Sequence, residues 1–204
     1  MALSRRLYDL VARHWPSVDN GPFAAVWSEG LDVEDTAQLL GADQGSATEV
    51  ALRDIGVGFG GDQMPGDLDG ILLIGAFERW SLTLQPQWLD AVEVPALTAL
   101  SGNGRVLGVS WHAGGGGYRI HHAAHGRIIE RAPMDELPVS LAEYSEGLEL
   151  PQRWDIPADQ GSPREEMIST ALAFVGRVTG REIDDAWLAA PHTRHLITRA
   201  THQG

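Results

Sequence analysis

The chain has 204 residues, no cysteine, and 28 acidic against 15 basic side chains, all of them arginine, for a net charge of −13. Without cysteine there is no disulfide, thiolate zinc site or Cys nucleophile; without lysine there is no Schiff-base lysine, Ser–Lys dyad, Walker-type phosphate loop or kinase lysine. A hydrophobic content of 43% with 7 Trp is enough to close a core, and the length suits one domain.

Residues 4–15 place Leu7, Leu10, Val11 and Trp15 at helical spacing, which predicts an amphipathic helix ended by Pro16 and Asn20-Gly21. Phe23 to Trp27 is a short apolar strand. Asp32 then reads as an N-cap, with Asp35 three residues on and Leu39-Leu40 behind, so a short helix is expected to stop at Gly41. Asp43 to Asp69 reads as a long irregular loop, rich in glycine (Gly56, Gly58, Gly60, Gly61, Gly66) and interrupted by Pro65. Ile71 to Leu84 reads as one strand, its second half alternating Trp80, Leu82 and Leu84 with Arg79, Ser81 and Thr83. Val92 to Leu100 is a short helix with Pro95 in its first turn.

Arg105 to Arg131 reads as a meander of three antiparallel strands, turning at Gly114–Gly117 and at Ala123–Gly126. Pro133 to Pro163 is acidic and contains five prolines, so a loop with one short helix is expected there. Glu165 to Val178 puts Met167, Ile168, Ala171, Leu172 and Val175 on one helical face, with acids at its start and Arg177 at its end. Glu182 to Ala189 is a further short helix, and residues 192–204 are expected to fray. The fold expected is a single α+β domain over residues 1–191. It has an antiparallel sheet, made by the 71–84 strand and the meander, and helices packed on one face. The N-terminus has no apolar stretch of signal-peptide length, and no apolar run approaches the about 18 residues of a membrane span, so a cytoplasmic protein with no membrane partner is expected.

Four stretches resemble, in order, an uncharacterised actinobacterial domain family of unknown function: FAAVWSEGLDVEDTAQLLGA (23–42), RWSLTLQP (79–86), VLGVSWHAGGGGYRIHHAAHGRIIER (106–131) and ALAFVGRVTGREIDDAWL (171–188). The family's strand carries Trp-x-Leu before a helix, as Trp80-Ser81-Leu82 does. Its acidic-Gly turn is His125-Gly126 in this chain, and Tyr118 and Ile120 stand where Phe and Trp are expected. The resemblance implies architecture and transfers no active site.

Charge is distributed unevenly. Glu29 to Asp69 holds 10 acids and only Arg53, a balance of −9; Glu130 to Glu166 holds 10 acids and 3 Arg, a balance of −7; from Arg105 to Ile129 the chain carries Arg105, Arg119 and Arg127 and no acid. Such acidity opposes direct binding of a nucleic-acid backbone and suits a basic protein partner. Asp32, Glu34, Asp35, Asp62, Asp67 and Asp69 are candidate contacts for that partner, with Trp88 and Trp154 as aromatic anchors from polar loops. Asp67 to Glu78 has the length of a calcium loop, but Ile71 and Leu72 stand where it needs an oxygen ligand and a glycine.

The densest histidine cluster is His112, His121, His122 and His125. Imidazoles bind zinc, copper, iron or nickel, but adjacent His121 and His122 on a strand point to opposite faces, and His112 can share a face with only one of them. No GxSxG elbow occurs; Ser110 lies in GVSWH. The leading expectation is therefore a non-enzymatic, cytoplasmic protein-binding module acting through its acidic surface, such as an immunity- or antitoxin-like inhibitor. It implies no cofactor. The alternatives are a metal-dependent enzyme or sensor using the four histidines, and a small-molecule binder closed by the 56–70 loop.

Overall fold

The computed structural model describes residues 5–18, 21–56, 68–112, 117–148 and 163–198. Its centre is one 8-stranded antiparallel sheet, in the order β2-β8-β3-β4-β1-β5-β6-β7. The strands are β1 (Phe23–Glu29), β2 (Asp43–Val50), β3 (Leu68–Phe77), β4 (Trp80–Pro86), β5 (Arg105–His112), β6 (Gly117–Ala124), β7 (Arg127–Pro133) and β8 (His192–Thr198). The helices are α1 (Arg6–His14), α2 (Val33–Leu39), α3 (Val94–Leu100), α4 (Pro163–Thr179) and α5 (Asp185–Ala189).

Alternation along each strand sends successive side chains to opposite faces, and here both faces are covered. Phe23, Ala25 and Trp27 of β1 join Leu82 and Leu84 of β4, Leu107, Val109 and Trp111 of β5, and Ile120 of β6 on face A, under α1, α4 and α5. Ala24 and Val26, Leu72 and Ile74, Val106 and Ala123 form face B, under α2, α3 and the 3-10 turn Asp90–Val92. The expectation of helices on one face is thereby corrected: a strand apolar on both sides, as FAAVW is, has two surfaces to bury.

Three local readings are also corrected. The single strand expected over 71–84 is the hairpin β3–β4. Its turn has no glycine; Glu78 itself takes φ 57°, and its carboxylate accepts a hydrogen bond from Arg181 at 3.2 Å. The loop expected from Asp43 begins with β2, whose side chains are exposed on both faces because it is an edge strand paired only with β8. It therefore shows no apolar period to read. The tail expected to fray carries β8, an inner strand between β2 and β3; residues 199–204 lie outside the described residues.

Helix ends follow the sequence more closely. Asp32 caps α2, accepting a hydrogen bond from the Asp35 amide at 2.8 Å, and Asp184 caps α5 by accepting from the Trp187 amide at 2.8 Å. The β6–β7 turn is His125-Gly126, both at positive φ (51° and 69°), which matches the strand twist of a two-residue hairpin.

Face A is held by aromatic contacts. Phe23 stacks on Trp111 at 4.6 Å, and Phe77 meets Trp27 and Trp187 edge-on at 6.5 and 6.1 Å. Where β8 enters the sheet, His192 stacks on Trp187 at 3.9 Å, and its Nε2 lies 2.7 Å from the Trp187 carbonyl, to which it donates. The ring lies flat over Gly75, where a Cβ would come within 2.2 Å of His192 Nδ1. A Gly75→Ala substitution, which strand propensity alone favours, should therefore destabilise the protein by about 1–3 kcal/mol. In a His192→Ala background the same change should cost nearly nothing. Urea unfolding of the four proteins of this cycle measures the coupling; equal costs in both backgrounds would show that the ring does not require the glycine.

Candidate functional site

The two faces of the sheet differ in chemistry. Face A is apolar along the central strands, whereas face B buries Ser28, Ser81, Thr83, Gln85, Ser110, His121 and His195. Some of these are satisfied. Ser81 and Thr36 share a hydrogen bond of 2.7 Å, and the Gln85 carboxamide bridges Asp90 Oδ2 and the Ala91 amide. Among the described residues, Ser28 Oγ, Thr83 Oγ1 and both ring nitrogens of His195 have no partner. Buried polar groups are expensive to leave unmade, so face B is where the chain departs furthest from packing for stability.

The histidines divide as the strand alternation requires. His121 points to face B and His122 to face A, where His122 Nδ1 lies 2.9 Å from Ser140 Oγ. His112 shares face B with His121 but stands opposite Gly117, whereas His121 stands opposite Gly108. His125 is an exposed turn residue. The four are not brought to one point, and among the described residues no group of three or more His, Asp or Glu could hold a metal ion.

His121 instead forms a buried pair with Ser110, Nε2 to Oγ at 2.9 Å. The third member is Arg131, whose Nε donates to His121 Nδ1 at 3.2 Å. An arginine can only donate, so Nδ1 carries no proton and the neutral ring holds its hydrogen on Nε2. His121 thus donates to Ser110 and cannot take the hydroxyl proton. A carboxylate in Arg131's place would turn the ring over and make it a base toward serine. The arrangement has the members of a nucleophilic pair and the opposite polarity. Burial, reinforced by the Arg131 and Arg119 guanidinia, pushes the His121 ring down to about 3.

The sequence candidates for partner contact fall at the other end of face B. An open cleft of about 320 Å³ lies between the β1–α2 connection and the β3–β4 turn, lined by Leu31, Asp32, Val33, Ala76, Glu78 and Arg79 among others. Glu34 and Asp35 begin α2, and Asp43 and Glu49 lie on the edge strand β2. All four are exposed, and none has an arginine partner among the described residues. Asp69 lies in β3; Asp62, Asp67, Trp154 and most of the 56–70 loop lie outside the described residues. Trp88 is half-buried and packs on the face A core rather than standing free as an anchor. Ser110, Arg119, Arg131 and Glu78 are the site residues that the sequence reading passed over. The signal for Ser110 and Arg119 was the β5–β6 register and for Arg131 the β6–β7 register that sets it opposite His121; Glu78 had no local signal.

No family model, no curated protein and no solved structure matches this chain.

His121 gives the molecule an acid-sensitive term. The folded ring refuses the proton that the unfolded chain binds near its ordinary 6.5. Its contribution is therefore present above pH 6.5 and is lost, by about 1.4 kcal/mol per pH unit, as pH falls from there toward 3. His122 and His192 are lowered by burial and act in the same direction. Unfolding free energies measured between about pH 7 and 5 should fall less steeply in His121→Gln than in the parent, by about 2 kcal/mol in all. Parallel curves would mean that the ring is not excluded from protonation.

Proposed function

We propose that the chain is a non-enzymatic protein-binding module that recognises a basic partner through the acidic end of face B. One observation carries this reading: Asp32, Glu34, Asp35, Asp43 and Glu49 are exposed on α2, its cap and β2, and among the described residues none of them forms an ion pair with an arginine. Three other acids are paired closely. Glu29 accepts from Arg105 at 2.9 Å and lies 3.3 Å from Arg79, Asp184 holds Arg181 at 2.8 Å, and Glu165 holds Arg5 at 2.9 Å.

The cleft adds shape to charge. Its apolar wall of Leu31, Val33 and Ala76 suits the aliphatic stem of an arginine or lysine, and the carboxylates of Asp32 and Glu78 suit the head, while Arg79 on the same lining is held 3.3 Å from Glu29. Electrostatic complementarity of this kind speeds encounter and rejects acidic competitors. An inhibitor of a basic toxin or nuclease is one form such a module takes. A location in the cytoplasm belongs to the same proposal; among the described residues no helix is long and apolar enough to cross a membrane.

The test is capture from the native host at low and high salt, comparing the parent with a Glu34→Lys, Asp35→Lys, Glu49→Lys variant. The three side chains are exposed, so the variant should melt within a few degrees of the parent. A basic protein should bind the parent at low salt, leave at high salt, and bind the variant at least about tenfold more weakly. The reading fails if both proteins capture the same set, or if the captured protein resists salt.

A further inference from the structure

On its β5–β6–β7 side, face B carries hydrogen-bond donors and no acceptor to match them. Arg131 Nε donates to His121 Nδ1, His121 Nε2 donates to Ser110 Oγ, and the chain ends on the Ser110 hydroxyl proton, which has no acceptor among the described residues. The remaining guanidinium nitrogens of Arg131 form no hydrogen bond or ion pair among the described residues. Arg119, two residues before His121 on the same face, forms none among the described residues. Both arginines are exposed, while Ser110 and His121 are buried at 4% and 1%.

Two features show that the arrangement is built. Gly108 stands opposite His121, and a Cβ there would press on His121 Cβ, His121 Cδ2 and Val92 Cγ1, each at 3.3 Å. The missing side chain lets the imidazole lie against the sheet, where it spans from Arg131 to Ser110. The nearest carboxylate in sequence, Glu130, points to the other face and is occupied by the amides of Val139 and Ser140 at 3.1 and 2.9 Å. In a chain with nearly twice as many acids as bases, these two guanidinia lie on one face without a carboxylate partner among the described residues.

We propose that Ser110, Arg119 and Arg131 form an oxyanion subsite, held in place by His121, that takes the phosphate or carboxylate group of a small ligand. Only an acceptor-rich anion satisfies this donor set. A hydroxyl donor and two forked guanidinia match the oxygens of such a group. A metal ion does not fit, because both ring nitrogens of His121 are engaged and the guanidinia repel a cation. The subsite lies apart from the acidic cleft and depends on different residues, so either can fail alone.

The experiment is a titration of the full ¹⁵N-labelled chain with sodium phosphate and with sodium acetate, each against sodium chloride at matched ionic strength. The Arg119 and Arg131 Nε resonances and the Ser110 amide should shift saturably in phosphate or in acetate and not in chloride. The anion that saturates at the lower concentration identifies the group recognised. An Arg119→Gln, Arg131→Gln variant, altered only at exposed positions, should weaken binding at least about tenfold. Ser110→Ala should weaken it less, and Arg127→Gln, at an exposed position of the β6–β7 turn, should leave it unchanged. Equal shifts in chloride, no saturation with either anion, full binding by the double variant, or an equal loss in Arg127→Gln would each overturn the subsite.

Discussion

The C-terminal strand is the constraint on which one half of this molecule depends. β2 has no sheet neighbour except β8, and β8 reaches the rest of the sheet only through β3. The contacts that dock β2 are correspondingly distant in sequence. Thr193 Oγ1 donates to Glu49 at 2.8 Å, the Leu196 amide donates to Ser46 Oγ at 2.9 Å, and Arg194 donates to the Ile55 carbonyl at 3.1 Å. Closing such long loops costs entropy before any contact repays it. The acidic edge made by α2 and β2 therefore acquires its shape only when the last strand is in place. The Trp187–His192 stack over Gly75 is the point at which that strand is aimed.

Burial has a different composition on the two sides of the sheet. Face A collects the aromatic rings and supplies most of the apolar area removed from water. Face B is filled with small and hydroxylated residues, several of them unpartnered, and is covered by two short helices. A buried serine or histidine contributes less than the aliphatic residue it displaces, and costs about 1–3 kcal/mol when its hydrogen bond is missing. Face A also leaves Trp27 Nε1, Trp80 Nε1 and His122 Nε2 without a partner among the described residues, but its aromatic burial offsets them. Both the acidic cleft and the arginine-rich end belong to the less stabilising face, as expected where site chemistry competes with packing.

Much of the architecture was legible because it rests on local rules. The spacing of Leu7, Leu10 and Val11 gave α1, the Asp32 cap gave α2, and the two turns of 105–131 gave β5, β6 and β7 close to their observed limits. The misreadings have physical causes. β2 has no buried side, so its composition resembles a loop. The β3–β4 turn uses a glutamate at positive φ, stabilised by Arg181 from 103 positions away, which no local pattern reports. β8 carries His192, Arg194 and His195 in an inner strand, and their burial depends on α5, Ile55 and face B rather than on neighbours in sequence. The site was less legible for the same reason. The histidine cluster was visible, but its meaning lay in Arg131 on the next strand and Ser110 on the previous one.

The identity of that third residue decides what the pair can do. A serine beside a histidine is chemically ambiguous, because the imidazole can accept from the hydroxyl or donate to it. A carboxylate behind the ring fixes the first polarity and makes a base; an arginine fixes the second and makes a donor chain. The same arginine adds its charge to that of Arg119 and keeps the ring neutral, so the local field favours an arriving anion and opposes an arriving metal. Within a molecule of net charge −13 this leaves one face with two ends of opposite sign. The acidic end suits a cation carried by a protein, and the other suits an anion small enough to reach a buried hydroxyl. Both follow from strand register, which sets Arg131 against His121 and His121 against Gly108, more than from composition.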